Sequence, residues 1–223
     1  MKAIGKFFKN ILLFLLIIIL IAAISFFGAA YFKKEQLYKK ASISEKVNQI
    51  ESMPTYIKAK NVSPNFLEAM VCIEDHRFYK HSGFDIISFS RAFITNLKTK
   101  EFTQGGSTIT QQLAKKMYLT SEKNIFRKLT ELLIAKDLEK YLNKEKILEL
   151  YINSIFYGNN STGIYNASLN YFGKTPNNLT DEEAAFLAGL PQAPSIYSRD
   201  SNLANERKQE VVDAVAKFKD KIK

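Results

Sequence analysis

The chain has 223 residues, a net charge of +10 and a hydrophobic fraction of 46% that includes 17 Phe and 11 Tyr. That much apolar surface excludes a disordered chain, and the length beyond an apolar N-terminal segment, about 180 residues, suits one domain with its own core. Residues 1–40 hold seven Lys and one Glu against 25 basic and 21 acidic residues in the rest. The excess charge therefore sits beside the apolar segment, and with no zinc-finger or RNA-binding signature it excludes nucleic acid as a partner.

In chain order, a short tail over 1–9 precedes 23 uncharged residues, 10–32, that include Ile11 to Leu20 without a break. As a helix these span about 34 Å, the thickness of a bilayer, and the expectation is one transmembrane anchor. A cleaved signal peptide competes, since Gly28 and Ala30 could form a cleavage site, but the run exceeds the usual apolar region of such a peptide. Lys2, Lys6 and Lys9 on one flank balance Lys33, Lys34, Lys39 and Lys40 on the other, so flanking charge does not set the orientation. The second group would favour an anionic membrane surface.

Residues 33–62 are polar and Lys-rich, broken by Pro54, and read as a stalk. The body, 63–223, reads as mostly α. Ser63-Pro64 is a helix start, followed by Leu67, Met70 and Val71 at helical spacing. Asn124–Leu142 reads as a buried helix, apolar nearly all round, and a third helix is expected over Lys144–Ile152. A fourth begins at Thr180 with a Thr180/Glu183 capping box and stops at Gly189 and Pro191. Residues 154–178, rich in Asn, Gly, Ser and Tyr, read as loop with short helical turns.

Four features bear on chemistry. Glu74 lies three, four and seven residues after Val71, Met70 and Leu67, which puts a carboxylate on the apolar stripe of its helix. A single such Glu is more often a structural partner than a base, yet burial would raise its pKa as a base working near neutral pH requires. Gly105-Gly106-Ser107-Thr108, then Thr110-Gln111-Gln112 and Lys115-Lys116, sets hydroxyls, amides and ammoniums after a glycine turn and suits a polar ligand. The order is not that of a Walker A loop, and alone it could be an ordinary capped helix start. Arg127 and Glu131, four apart, have Lys128 beside them and Lys123 a turn earlier. They make either a surface ion pair or a clamp for a diphosphate. His76 and His81 have no third ligand arranged with them, and the lone Cys72 has no partner for a disulfide or a metal, so a metal site is not expected.

Together these stretches resemble the peptidoglycan glycosyltransferases, the family 51 transglycosylases that occur alone or fused to penicillin-binding transpeptidase domains. The resemblance rests on five motifs in order: Glu74 to Gly83, Gly105 to Lys115, Arg127 to Glu131, Lys144 to Asn153, and Leu187 to Ser195. It covers residues 60 to 215, and Lys116 departs from it where Asn is usual. It implies a lysozyme-like, mostly helical domain with a small membrane-facing jaw. The substrates implied are lipid II and the nascent glycan strand. Glu74 would be the base that takes the proton of the acceptor 4-hydroxyl, and Glu131 would assist at the second site. Asp75, Arg77, His81, Ser107, Thr108, Gln111, Gln112, Lys115, Lys116, Lys123, Arg127 and Lys128 would bind sugar and diphosphate. Glu149 and Asn153 would support the cleft, Asn153 on its substrate side.

No cofactor is required by the sequence, although Mg or Mn could act as a divalent cation. The expected place is the plasma membrane, single-pass, with the body on the extracytoplasmic side and other cell-wall synthesis proteins as neighbours. With no Ser-x-x-Lys penicillin site visible before Lys223, the chain reads as the monofunctional form. A lysozyme-type glycan-cleaving enzyme and a non-catalytic cell-wall scaffold are the competing functions.

Overall fold

The computed structural model describes residues 2–99, 105–119 and 125–222. Among them there is no strand, only an isolated bridge between Phe156 and Thr162. Helix α1, Lys2–Lys40, includes the expected anchor and is long and apolar enough to cross a membrane. It runs on without a break past the anchor's end.

The segment expected to be a stalk is part of the body. Helix α2, Ile43–Glu51, is capped by Ser42 and Glu45 in a reciprocal box, and Ile43, Ile50 and Val62 are buried in the core. Ile43, Val47 and Ile50 form an apolar stripe that the surrounding lysines conceal in the sequence. Lys34 is not available to lipid head groups either. Its ammonium is 2.7 Å from Asp137 Oδ2, it lies 4.5 Å over the Tyr31 ring, and the Tyr38 hydroxyl donates to the same carboxylate oxygen at 3.2 Å. Lys33, Lys39 and Lys40 stay exposed.

Helix α3, Pro64–Asp75, starts where Ser63-Pro64 indicates, although the Ser63 side chain makes no capping bond. Helix α4, Ile86–Thr99, leaves Ile86, Ile87, Phe89, Phe93, Ile94 and Leu97 exposed and buries only Ala92. Helix α5 is Ile109–Tyr118, and α6 is Ile125–Tyr141. Rather than being buried all round, α6 buries one face through Thr130, Glu131, Ile134, Ala135 and Leu138, while Ile125 and Tyr141 stand in solvent. It packs against α5 and α1, and Phe26 meets Phe126 edge-on at 5.8 Å.

Helix α7, Lys144–Ser154, matches expectation. The loop expected over 154–178 contains a further helix, α8, Ile164–Phe172, closed by Gly173 in the left-handed region. Its polar composition hides buried Ile164, Ala167 and Ser168 at helical spacing. Helix α9, Asp181–Gly189, carries the Thr180/Glu183 capping box. A short α10, Pro194–Tyr197, leads to α11, Ser201–Phe218, which packs on α3 and α9. One continuous core joins Phe66, Phe78, Leu113, Ile134, Tyr151 and Tyr157.

Gly163, at φ +81°, donates its N–H to Ile155 O at 2.9 Å, and a Cβ there would lie 2.8 Å from the Asn153 carbonyl. Both the left-handed backbone and the unyielding carbonyl oppose a side chain. Gly163→Ala is expected to cost about 1–3 kcal/mol, read as a lower denaturation midpoint; an unchanged midpoint would contradict this turn.

Candidate active site

Glu74 lies in the last turn of α3 with its side chain 10% exposed. Gln112 of α5 donates its amide to Glu74 Oε2 at 2.6 Å, and the Gln112 carbonyl oxygen accepts from the Tyr151 hydroxyl of α7 at 3.0 Å. The fixed hydroxyl orients the amide so that its NH2 faces the carboxylate. Arg207 of α11 brings Nη2 to 4.0 Å from Glu74 Oε1. Burial pushes the Glu74 carboxyl above the ordinary range; the Gln112 bond and the Arg207 charge oppose the rise, and the neighbouring Asp75 adds to it. Buried Tyr151 and Tyr157 are themselves pushed well above the phenolic range by burial and by the Glu74 charge. They stay neutral and form the low-dielectric wall beside the carboxylate.

Asp75 faces the other way. Its oxygens meet His81 Nε2 at 3.1 and 3.0 Å, and Oδ2 also accepts the Ile109 N–H at 3.1 Å. This ties the end of α3 to the start of α5. Thr108 caps α5, taking the Gln111 N–H at 3.1 Å and donating its hydroxyl to Gly83 O at 2.8 Å. Gln111 is fully buried, with its Oε1 on the Thr108 N–H at 2.9 Å. Arg77 donates Nε to Asp85 Oδ2 at 2.9 Å. Asp75, Arg77, His81, Thr108 and Gln111, expected to bind substrate, also hold the scaffold of the site through these contacts.

Asn153 is held by backbone in the same way. It is 3% exposed, donates to Ile57 O at 2.9 Å and Glu149 O at 2.8 Å, and accepts the Ile57 N–H at 3.0 Å. Its amide is saturated by backbone, and its work is to seat the segment before α3. Glu149 does likewise through the Tyr56 hydroxyl and the Ala59 N–H.

A second cluster lies on α6. Glu131 is 2% exposed and pairs with Lys128, whose ammonium also donates to Ser107 Oγ at 2.7 Å. Arg127 Nη1 stands 3.5 Å from the other Glu131 oxygen. Two cations on a buried carboxylate leave a local positive excess, as a clamp for a dianion needs. Lys115 and Lys116 are exposed on the last turn of α5. Lys123 lies outside the described residues. Segment 107–112 joins the clusters, Ser107 touching Lys128 and Gln112 touching Glu74. Among the described residues no group of three or more His, Cys, Asp or Glu is placed to hold a metal ion.

Sequence reasoning missed Arg207 and Tyr157. A signal for Arg207 existed: it falls between Ala204 and Val211 on the stripe that continues through Ala214, Val215 and Phe218, a charge on an apolar face as Glu74 is.

The transglycosylase family matches residues 40–216, most of the chain. The chain belongs to that family. Penicillin-binding protein 1A of Vibrio cholerae is 37% identical over 93% of this chain and 28% of its own length. Penicillin-binding protein 2D of Bacillus subtilis is 43% identical over 73% of this chain and 24% of its own. A Cupriavidus necator protein whose name assigns it to the transglycosylases is 43% identical over 71% of this chain and 68% of its own. The chain thus spans about a quarter of the two penicillin-binding proteins. The lysozyme-like helical architecture implied by the motifs is the architecture of this transglycosylase domain, and the family match begins inside the segment that had read as stalk.

Because the folded pKa of Glu74 exceeds its unfolded value, the folded state holds the extra proton between the two values. Stability therefore falls as pH rises through that interval and the cost of the buried charge is fully present above it. Glu74→Gln removes that cost. It is expected to melt at or above the parent's temperature at pH 7 to 8, with the difference shrinking toward pH 4.5; a variant less stable at neutral pH than in acid, relative to the parent, would contradict the assignment.

Proposed function

We propose that this chain polymerises peptidoglycan glycan strands from lipid II, with Glu74 as general base. The observation that carries the reading is the buried Glu74 carboxylate, hydrogen-bonded at 2.6 Å by the same short segment that meets the Lys128–Glu131–Arg127 cluster at its other end. The acceptor GlcNAc 4-hydroxyl gives its proton to Glu74 as its oxygen attacks the donor's anomeric carbon. The bond to the lipid diphosphate breaks, the diphosphate leaves with the electron pair, and the configuration inverts. Lys128 and Arg127, with Lys115, Lys116 and Lys123, neutralise charge developing on that leaving group, and Glu131 keeps the cations oriented.

A lipid-linked substrate fits the rest of the molecule. The anchor and the exposed apolar stripe of α4 support a site at a bilayer surface, with α4 as the membrane-facing jaw in this reading. The reading places the body on the extracytoplasmic face of the plasma membrane.

The test is incubation of the purified full chain with labelled lipid II in detergent, followed by gel separation. Glycan ladders are expected, and Glu74→Gln should slow their formation by about 10²- to 10⁴-fold. Absence of ladders from the parent, or cleavage of preformed strands instead, would reject polymerisation. Arg127→Ala should raise the apparent KM for lipid II about tenfold, the effect of losing one charge-assisted contact; an unaltered KM would remove Arg127 from the clamp.

A further inference from the structure

We infer that Arg207 of α11 is a positioning residue for Glu74, setting the orientation and charge state of that carboxylate from the opposite side of the core. The inference rests on the reading of Glu74 as the base.

Three observations carry it. The Arg207 side chain is only 10% exposed, so its guanidinium requires defined partners. The fold fixes one, with Nε donating to Gly189 O at 3.3 Å, and the same helix supplies a second, with Nη1 donating to Glu210 Oε2 at 2.6 Å. With the planar fork held at those points, the remaining Nη2 is directed at Glu74 Oε1, 4.0 Å away. The crossing is also sterically built. A Cβ on Gly189 would lie 2.9 Å from Arg207 Cγ and 3.3 Å from Val211 Cγ2, so the glycine that ends α9 admits the arginine stem.

Around Glu74, α5 supplies neutral Gln112, α7 supplies Tyr151, and Tyr157 follows from the loop beyond. Asp75 is the adjacent anion, and α9 contributes the Gly189 carbonyl to Arg207. Lys219 is engaged with Glu68, nearly two turns earlier on α3, at 3.2 Å. Among the described residues, Arg207 is thus the cation that faces the carboxylate. A base in an apolar pocket with no cation nearby would hold its proton and be idle, whereas a direct bidentate contact would leave it too weak to accept one. At 4.0 Å the charge acts without a hydrogen bond and leaves the oxygen open for the acceptor's proton.

The experiment measures lipid II polymerisation against pH for the parent, Arg207→Gln, Arg207→Lys and Glu210→Gln, with a melting curve for each. Carboxyl-labelled Glu74 is titrated by NMR in parallel. Arg207→Gln should move the acid limb of the rate profile upward by about half a pH unit or more, and Arg207→Lys should restore it. Glu210→Gln alters a side chain that is 63% exposed and removes the anion that shares Arg207. It should shift the limb the other way. An unmoved limb in Arg207→Gln and Glu210→Gln, or a limb displaced equally by Arg207→Lys and Arg207→Gln, would overturn the role. A parent that fails to polymerise would reject the proposed function alone, because the NMR titration of Glu74 in the parent and Glu210→Gln decides the Arg207 contact without activity.

Discussion

The burial of one carboxylate organises this molecule. Glu74 sits where the core would accept a leucine, and an ionised oxygen there is tolerated only with directional donors and an opposing charge within reach. Those come from elements far apart in sequence: Gln112 from α5, the Tyr151 hydroxyl behind it from α7, and Arg207 from α11. Helices α5, α7 and α11 must therefore close around α3 before the site exists. Tyr151 and Tyr157, fully buried and neutral, keep the local dielectric low, which amplifies each of these contacts.

Many residues in the signature motifs hold the scaffold of the site. Asp75 clasps His81 and the first N–H of α5, and Thr108 caps that helix and reaches back to Gly83. The result is a rigid α3–α5 corner in which Gln112 and Ser107 point to two different clusters. Preorganisation of this kind limits the reorganisation needed when charge moves during reaction.

Much of this was legible in the sequence. The anchor followed from uninterrupted hydrophobicity, α3, α7 and α9 from caps and spacing, and Glu74 from its place on an apolar stripe. The hidden parts share a physical cause. In 33–62 and 154–178 the apolar positions are few and separated by Lys, Asn or Ser, so composition suggested solvent exposure while Ile43, Ile50, Ile164 and Ala167 were enough to bury one face. The roles of Asp75 and Asn153 depend on which backbone N–H lies opposite, and that is fixed by tertiary packing, not by local pattern. Arg207 was hidden differently: its helix was polar enough to pass unnoticed, although its charge interrupts an apolar stripe as Glu74's does.

The continuity of α1 has a mechanical consequence. A flexible tether would let the body swivel and sample lipid head groups at any attitude. Here one unbroken helix carries the apolar segment into the body and is locked to α6 by Lys34, Asp137 and the Phe26–Phe126 contact, so it acts as a keel. The height and heading of α6, with Arg127, Lys128 and Glu131 on it, follow the tilt of α1, so a change in bilayer thickness that tilts this helix also turns that cluster.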